Sequence, residues 1–433
     1  MRLYSTKDKS KSVSLQEAVI KGLPDDNGLF MPEFIPRLST SFIQNLSDYS
    51  FQEIGFEICR QLFQGAIPEG DLRDIIKGAI NFPAPLAKLE EGKYVLELFH
   101  GPSLAFKDFG ARFMAQLMSY FNRENDRDLV ILVATSGDTG GAVAAGFYDT
   151  PGIQVVILYP SGKVSNLQEK QLTTLGNNIT AIEVNGTFDD CQALVKQAFL
   201  DKDLNQHIRL SSANSINIAR LVPQSFYYFE AFKQLPKPHG PIVFCVPSGN
   251  FGNLTAGLFA KKMGLPIHQF IAATNVNDVV PEYLHSGNFK PRPSVSTLSN
   301  AMDVGNPSNF ARILDIYGST WNTISKEIVG YSFGDAETAT TMAEVYKKTG
   351  YVLDPHGAVG YAALEQYQKE NQGGIGIVLE TAHPSKFLPD VERILGVKVE
   401  VPARLAALAD KTKEAVKLGT GFSAFKDWLG SRY

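Results

Sequence analysis

The stretch Tyr94-Val-Leu-Glu-Leu-Phe-His-Gly-Pro-Ser-Leu-Ala-Phe-Lys-Asp-Phe-Gly110, with the pattern that follows it to Phe121, decides the fold. Val95 to Phe99 is a short apolar, β-favouring run, and Gly101-Pro102 stops it. Phe109, Phe113, Leu117 and Phe121 then recur at helical spacing. Lys107 therefore stands where a strand gives way to a helix. The positive end of the helix dipole and the flanking Phe106 and Phe109 both disfavour its ammonium form. Its pKa is expected below the ordinary value of about 10.4. A neutral amine in such a place can attack a carbonyl and hold it as a Schiff base, the way lysines carry pyridoxal phosphate. The plain alternative is a solvated lysine in the first turn of a surface helix. The Gly-Pro loop, the aromatic flanks and the glycine-rich turns elsewhere weigh against it.

Outward from this stretch, short β-branched runs alternate with helical patterns, as in a parallel sheet covered on both faces. Strands are predicted at 129–134, 155–159, 181–184, 242–246, 270–274 and 375–379. Helices are predicted at 142–148, 189–200, 218–233, 254–262, 336–348 and 358–368. Residues 1–92 read as an N-terminal, mainly helical domain (helices over 51–63 and 71–80), with a boundary at the Phe82-Pro-Ala-Pro85 turn. Residues 93–210 then read as a smaller domain and 211–433 as a larger one, part of 93–210 being free to join the larger sheet. Residues 275–307, rich in Pro and Asn, are expected to form an ordered functional loop or lid. From Val401 the chain reads as an Ala- and Lys-rich helix with Trp428 as a packing anchor.

Ligands of parallel sheets bind beyond the carboxyl ends of the strands, so the motifs are sought there. Three strand-to-helix loops stand out: Thr135-Ser-Gly-Asp-Thr-Gly-Gly141, Pro247-Ser-Gly-Asn-Phe-Gly-Asn253 and Glu380-Thr-Ala-His-Pro384. Their glycines let backbone approach an anion, and amides at the helix starts can bind its oxygens. No loop carries Gly-x-Gly-x-x-Gly or a Walker A pattern, which argues against a dinucleotide or P-loop enzyme. The seven histidines are scattered without metal-ligand spacing, so no metal is expected; His383 is notable only for lying in the third loop.

Across 433 residues, 44% apolar and 20% charged with a net charge of −4, the chain has none of the basic excess of a nucleic-acid binder. Cys59, Cys191 and Cys245 form neither a disulfide framework nor a zinc spacing, which suits a reducing, cytoplasmic setting. Neither an apolar signal core nor an uncharged run near ~18 residues is present, so export and membrane spanning are not expected. The sequence leaves monomer and homodimer equally open.

Together these motifs resemble the threonine synthase family of pyridoxal-phosphate fold-type II enzymes, in the branch with its own N-terminal domain. The resemblance rests on the Lys107 stretch and the three loops, with Tyr-Pro-Ser-Gly-Lys-Val-Ser at 159–165, Ser-Ala-Asn-Ser-Ile-Asn-Ile-Ala-Arg-Leu at 212–221 and Ala-Ala-Thr-Asn-Val-Asn-Asp at 272–278. It implies an α/β, tryptophan-synthase-β-like fold, and pyridoxal 5'-phosphate joined to Lys107. Ser248, Gly249, Asn250, Phe251, Gly252 and Asn253 would bind the cofactor's phosphate, and Thr381 would offer a hydroxyl to its pyridine nitrogen. Thr135, Ser136, Gly137, Asp138 and Thr139 would receive the substrate carboxylate and the cofactor's ring hydroxyl. An Asp138 carboxylate beside two anionic groups would be repelled unless it is protonated or aimed away.

The implied substrate is O-phospho-L-homoserine, converted with water to L-threonine and phosphate. The leaving phosphate calls for cations and amide donors, for which Lys163, Asn214, Ser215, Asn217 and Arg220 are nominated. The competing outcome is a phospholyase that releases 2-oxobutanoate without adding water at Cβ.

Overall fold

In a computed structural model of the chain, which describes residues 1–433 except Ser136, Pro238, His239 and Gln372, two parallel sheets carry the site. The first has the spatial order Ile328–Ser332, Gln269–Thr274, Ile242–Pro247, Ile375–Glu380, Lys93–Glu97 and Leu86–Glu90, with only the last strand antiparallel. The second, wholly parallel, is ordered Val416–Leu418, Ile179–Val184, Ile153–Pro160, Leu129–Ala134 and Arg209–Ser212. The near-continuous apolar runs Leu129–Ala134 and Ile242–Pro247 are buried on both faces, as strands covered by helices require.

All six predicted strands are present, within two residues at either end. Strands 209–212, 328–332 and 416–418 escaped the pattern because they are short edge elements with mixed or polar residues. The N-terminal segment is mainly helical, as expected, and adds a small sheet in which Arg2–Ser5 pairs antiparallel with Ser12–Ser14 and Phe30–Pro32. Two placements differ from the sequence reading. The stretch from Val401 is no continuous helix but a turn at Ala403–Ala406, the edge strand Val416–Leu418 and the helix Phe422–Arg432. Its anchors are Phe425 and Leu429, both fully buried. The helix predicted over 218–233 is interrupted by a 3-10 turn at Val222–Ser225, where Pro223 cannot donate its amide.

The helix Lys107–Asn122 ties the layers together. Phe109 packs on Phe51 and Phe82 of the N-terminal segment, with ring centroids 5.8 and 4.7 Å apart, and Phe113 on Phe226 at 5.9 Å. Gly110 allows its close crossing with Ile218–Leu221, since a Cβ there would fall 2.9 Å from the Arg220 carbonyl oxygen. That crossing sets Arg220 beside Lys107. No helix among the described residues is long and apolar enough to cross a membrane.

Candidate active site

The Lys107 loop is laced by backbone to the loop after Ile375–Glu380: the Phe106 amide donates to the Thr381 carbonyl at 2.8 Å, and the His383 amide to that of Leu104 at 3.0 Å. Lys107 and Thr381 are thereby held in register at the floor of a cleft of about 690 Å³. That cleft lies in the size range of small-molecule sites. Lys107 begins its helix, and among the described residues its amine makes no ion pair or hydrogen bond. Burial pushes its pKa down to about 8; Asp138 opposes the shift, and Lys386 and Arg220 reinforce it.

One wall of the cleft is the start of the helix Gly252–Lys262. The amides of Gly249, Asn250, Phe251 and Gly252 donate to no described residue, and they converge on the positive end of that helix. Three features hold the loop open as a cradle. A Cβ at Gly249 would sit 2.6 Å from the Ala301 oxygen, so only glycine lets the turn Asn300–Met302 close down on it. Phe251 is in the left-handed region, at φ 59°. The Asn250 side chain donates to Ser215 Oγ at 2.8 Å and accepts from the Ser308 amide at 2.6 Å. Asn253 Oδ1 accepts from the Tyr227 and Tyr228 hydroxyls at 2.6 and 2.8 Å, which leaves its buried Nδ2 unpaired.

The same cleft carries cations. Arg220, 1% exposed, donates through Nη1 to the Ala213 oxygen at 2.8 Å, and its Nε has no partner among the described residues. Lys163, exposed, and Asn214, Ser215 and Thr139 line the same cleft.

Comparison with known proteins completes this picture. The family model described as pyridoxal-phosphate dependent enzyme matches residues 81–380, and those described as threonine synthase N terminus and threonine synthase C-terminal match 2–80 and 357–428. Threonine synthase of Haemophilus influenzae is 50% identical over 407 residues, 94% of each chain. The crystal structure of threonine synthase from Escherichia coli superposes with a TM-score of 0.91 at 46% identity over the whole of both chains. That of PLP-bound threonine synthase from Brucella melitensis superposes with a TM-score of 0.93 at 34% identity, again over both whole chains. The chain belongs to the threonine synthase family.

The residues present fit pyridoxal phosphate, the cofactor that the matching family model is named for. A free amine of lowered pKa, an open amide cradle for a phosphate and the Thr381 hydroxyl, unbonded among the described residues, face one cleft. The relation also gives meaning to residues that the sequence reading passed over. Gln168, Phe188, Gln192, Gln224, His356 and residues 300–306 line the cleft, and Lys386 stands just behind it. Residues 300–306 belong to the expected functional loop, which is ordered by Asn275 donating to Thr297 Oγ1, Ser299 and Asp303 at 2.8–3.2 Å.

Several nominated residues have other duties in the threonine synthase framework. Thr135 Oγ1 accepts from the Gly137 and Gly140 amides at 3.0 and 2.8 Å and donates to the Gly137 oxygen, so it shapes its loop and does not face the cleft. Gly137 is buried behind that bond, and Ser136 lies outside the described residues. Asn217 is a correction. It caps the helix Ile218–Leu221 through Oδ1 and donates to the Val19 oxygen at 2.9 Å, fully buried and apart from the residues that line the cleft. Ser248 Oγ donates to the Val246 oxygen at 2.8 Å. His383 caps the following turn, with Ser385 Oγ 2.8 Å from Nδ1, and stacks edge-on against Phe99; burial lowers its pKa to about 4, which keeps it neutral. Asp138 is neither protonated nor aimed away: although burial opposes ionisation, Lys386 at 2.7 Å, Lys107 and Gln168 hold its carboxylate well below the usual range.

Proposed function

We propose that the chain converts O-phospho-L-homoserine and water to L-threonine and phosphate, with Lys107 carrying pyridoxal 5'-phosphate. The observation that supports this most is a single cleft that the free Lys107 amine shares with two groups of anion-binding residues of different make. These are an amide cradle at the start of Gly252–Lys262 and the cations Arg220 and Lys163. A cofactor phosphate suits the first, because backbone amides hold it without moving. A phosphate that arrives and leaves suits the second, because Lys163 is exposed and free to follow it.

When bound, the cofactor supplies an electron sink that acidifies the substrate's Cα–H bond. Thr381 orients it at the floor of the cleft. The Lys107 amine, whose lowered pKa suits near-neutral pH, would be the base that takes the Cα proton. A second proton then leaves Cβ, the Cγ–O bond breaks, and phosphate departs toward Arg220, Lys163, Asn214 and Ser215. Water adds at Cβ, and protons return to Cγ and Cα. Thr139 and the amides at the start of Asp138–Phe147 take the substrate carboxylate.

The names of the full-length relatives favour hydration over the phospholyase outcome. Incubation with O-phospho-L-homoserine is expected to yield threonine and phosphate in equal amounts. Release of 2-oxobutanoate and ammonia in their place would refute the proposal.

A further inference from the structure

We propose that Lys386 is a positioning residue, which engages Asp138 so that this carboxylate does not pair with Lys107 and hold a positive charge on its nitrogen. The inference rests on the reading that Lys107 carries the cofactor. Lys386 stands on the turn Pro384–Phe387, just after the central strand Ile375–Glu380, and its side chain is almost fully buried. Its Nζ lies 2.7 Å from Asp138 Oδ1 and donates to the Ser103 oxygen at 2.9 Å. Gln168 Nε2 donates to the same Asp138 oxygen at 2.9 Å. Asp138 opens a helix packed on the other sheet, so the pair spans the two layers that form the cleft.

Lys107 lies close enough to feel both partners and yet, among the described residues, makes no ion pair with Asp138 within 4.0 Å. The groups acting on Lys107 are Asp138 from one side and Lys386 and Arg220 from the others, and Asp138 alone favours a positive charge there. The groups acting on Lys386 include Asp138 and the buried Asp108, whose Oδ2 is engaged by the Ser103 amide at 2.9 Å. A buried lysine is a costly way to fill space, since an apolar side chain of the same length would pack there without desolvating a charge. Its use at this place is explained if Asp138 must be ionised and yet kept from the catalytic amine. Without Lys386, the nearest cation left for Asp138 is Lys107.

The test uses the full-length holoenzyme without substrate. Its visible absorption is titrated with pH to find where the Lys107 nitrogen loses its positive charge. With Lys386→Met the midpoint is expected to rise by about one pH unit or more, the size of effect an unmasked neighbouring carboxylate has. Lys386→Arg should leave it near the wild-type value, Asp138→Asn should lower it, and Lys386→Met with Asp138→Asn should abolish the rise. The proposal is overturned if Lys386→Met leaves the midpoint unmoved, or if the double variant keeps the rise. Should Lys386→Met not fold, Asp138→Asn and Lys386→Arg decide, and an unmoved midpoint in Asp138→Asn overturns the idea. Borohydride fixation and peptide mapping on the wild-type protein test separately whether Lys107 is the attachment point.

Discussion

Replacing Arg220 with methionine should pull stability and activity in opposite directions. The guanidinium is 1% exposed, has one hydrogen bond to the Ala213 oxygen and leaves Nε unpaired. Burial pushes its pKa down to about 10. Set against the ordinary guanidinium value, that fall corresponds to about 3 kcal/mol of unfavourable charging in the folded chain, at about 1.4 kcal/mol per pH unit. Methionine removes this cost and fills most of the volume, while the Ala213 oxygen loses a partner at about 1–2 kcal/mol. The net expectation is a variant that is as stable as the wild type or more so by about 1 kcal/mol, read as an unchanged or raised denaturant midpoint. Each charge-assisted bond to a phosphate contributes about 1.5–3 kcal/mol. The same substitution should therefore lower kcat/KM for O-phospho-L-homoserine at least about tenfold, and weaken product inhibition by phosphate in parallel. If Arg220→Met is strongly destabilised while its kinetics and phosphate inhibition stay as they were, Arg220 is a strut, and the anion site lies elsewhere.

Three further outcomes are expected. Gly249→Ala puts a methyl 2.6 Å from the Ala301 oxygen and 3.0 Å from the Met302 Cα, both backbone. At about 1–3 kcal/mol of overpacking it should weaken pyridoxal phosphate binding some ten- to a hundredfold in a fluorescence titration, and unaltered affinity would speak against the cradle. Lys107→Ala should leave no borohydride-fixed cofactor on the chain and lower turnover at least about a hundredfold, as measured by peptide mapping and threonine formation. Glu380 is fully buried against Asp354, and these two influences, burial first, raise its pKa well above the carboxylate range. Its stabilising contribution is thus complete below the unfolded value of about 4.3 and is lost as pH rises toward the folded one. Glu380→Gln keeps an acceptor for the Asp354 amide, now 2.7 Å away, and does not ionise. Denaturant curves should show its stability relative to the wild type increasing from pH 4 to pH 7, and a flat difference would mean that Glu380 is already ionised in the fold.

What was legible in the sequence and what was not divide along a physical line. Lys107, the cradle 249–253 and Thr381 were legible because each belongs to a local event, a strand ending in a turn and a helix beginning. Glycine, proline and small polar residues mark such events in the chain itself. The parallel strands were legible for a related reason: burial on both faces makes them apolar throughout. Asn217 and Thr135 were misread because a polar side chain beside a helix start satisfies backbone as readily as ligand, and only the distances to Val19, Ala219, Gly137 and Gly140 tell the two apart. Lys386 escaped notice for the opposite reason. A lysine between serine and phenylalanine carries no local mark, and its importance arises only when the turn after one sheet meets the first helical turn over the other. Asp138 shows the consequence most clearly. Read by itself it was an anion among anions, and it became intelligible once a cation 248 residues further along the chain was found 2.7 Å away.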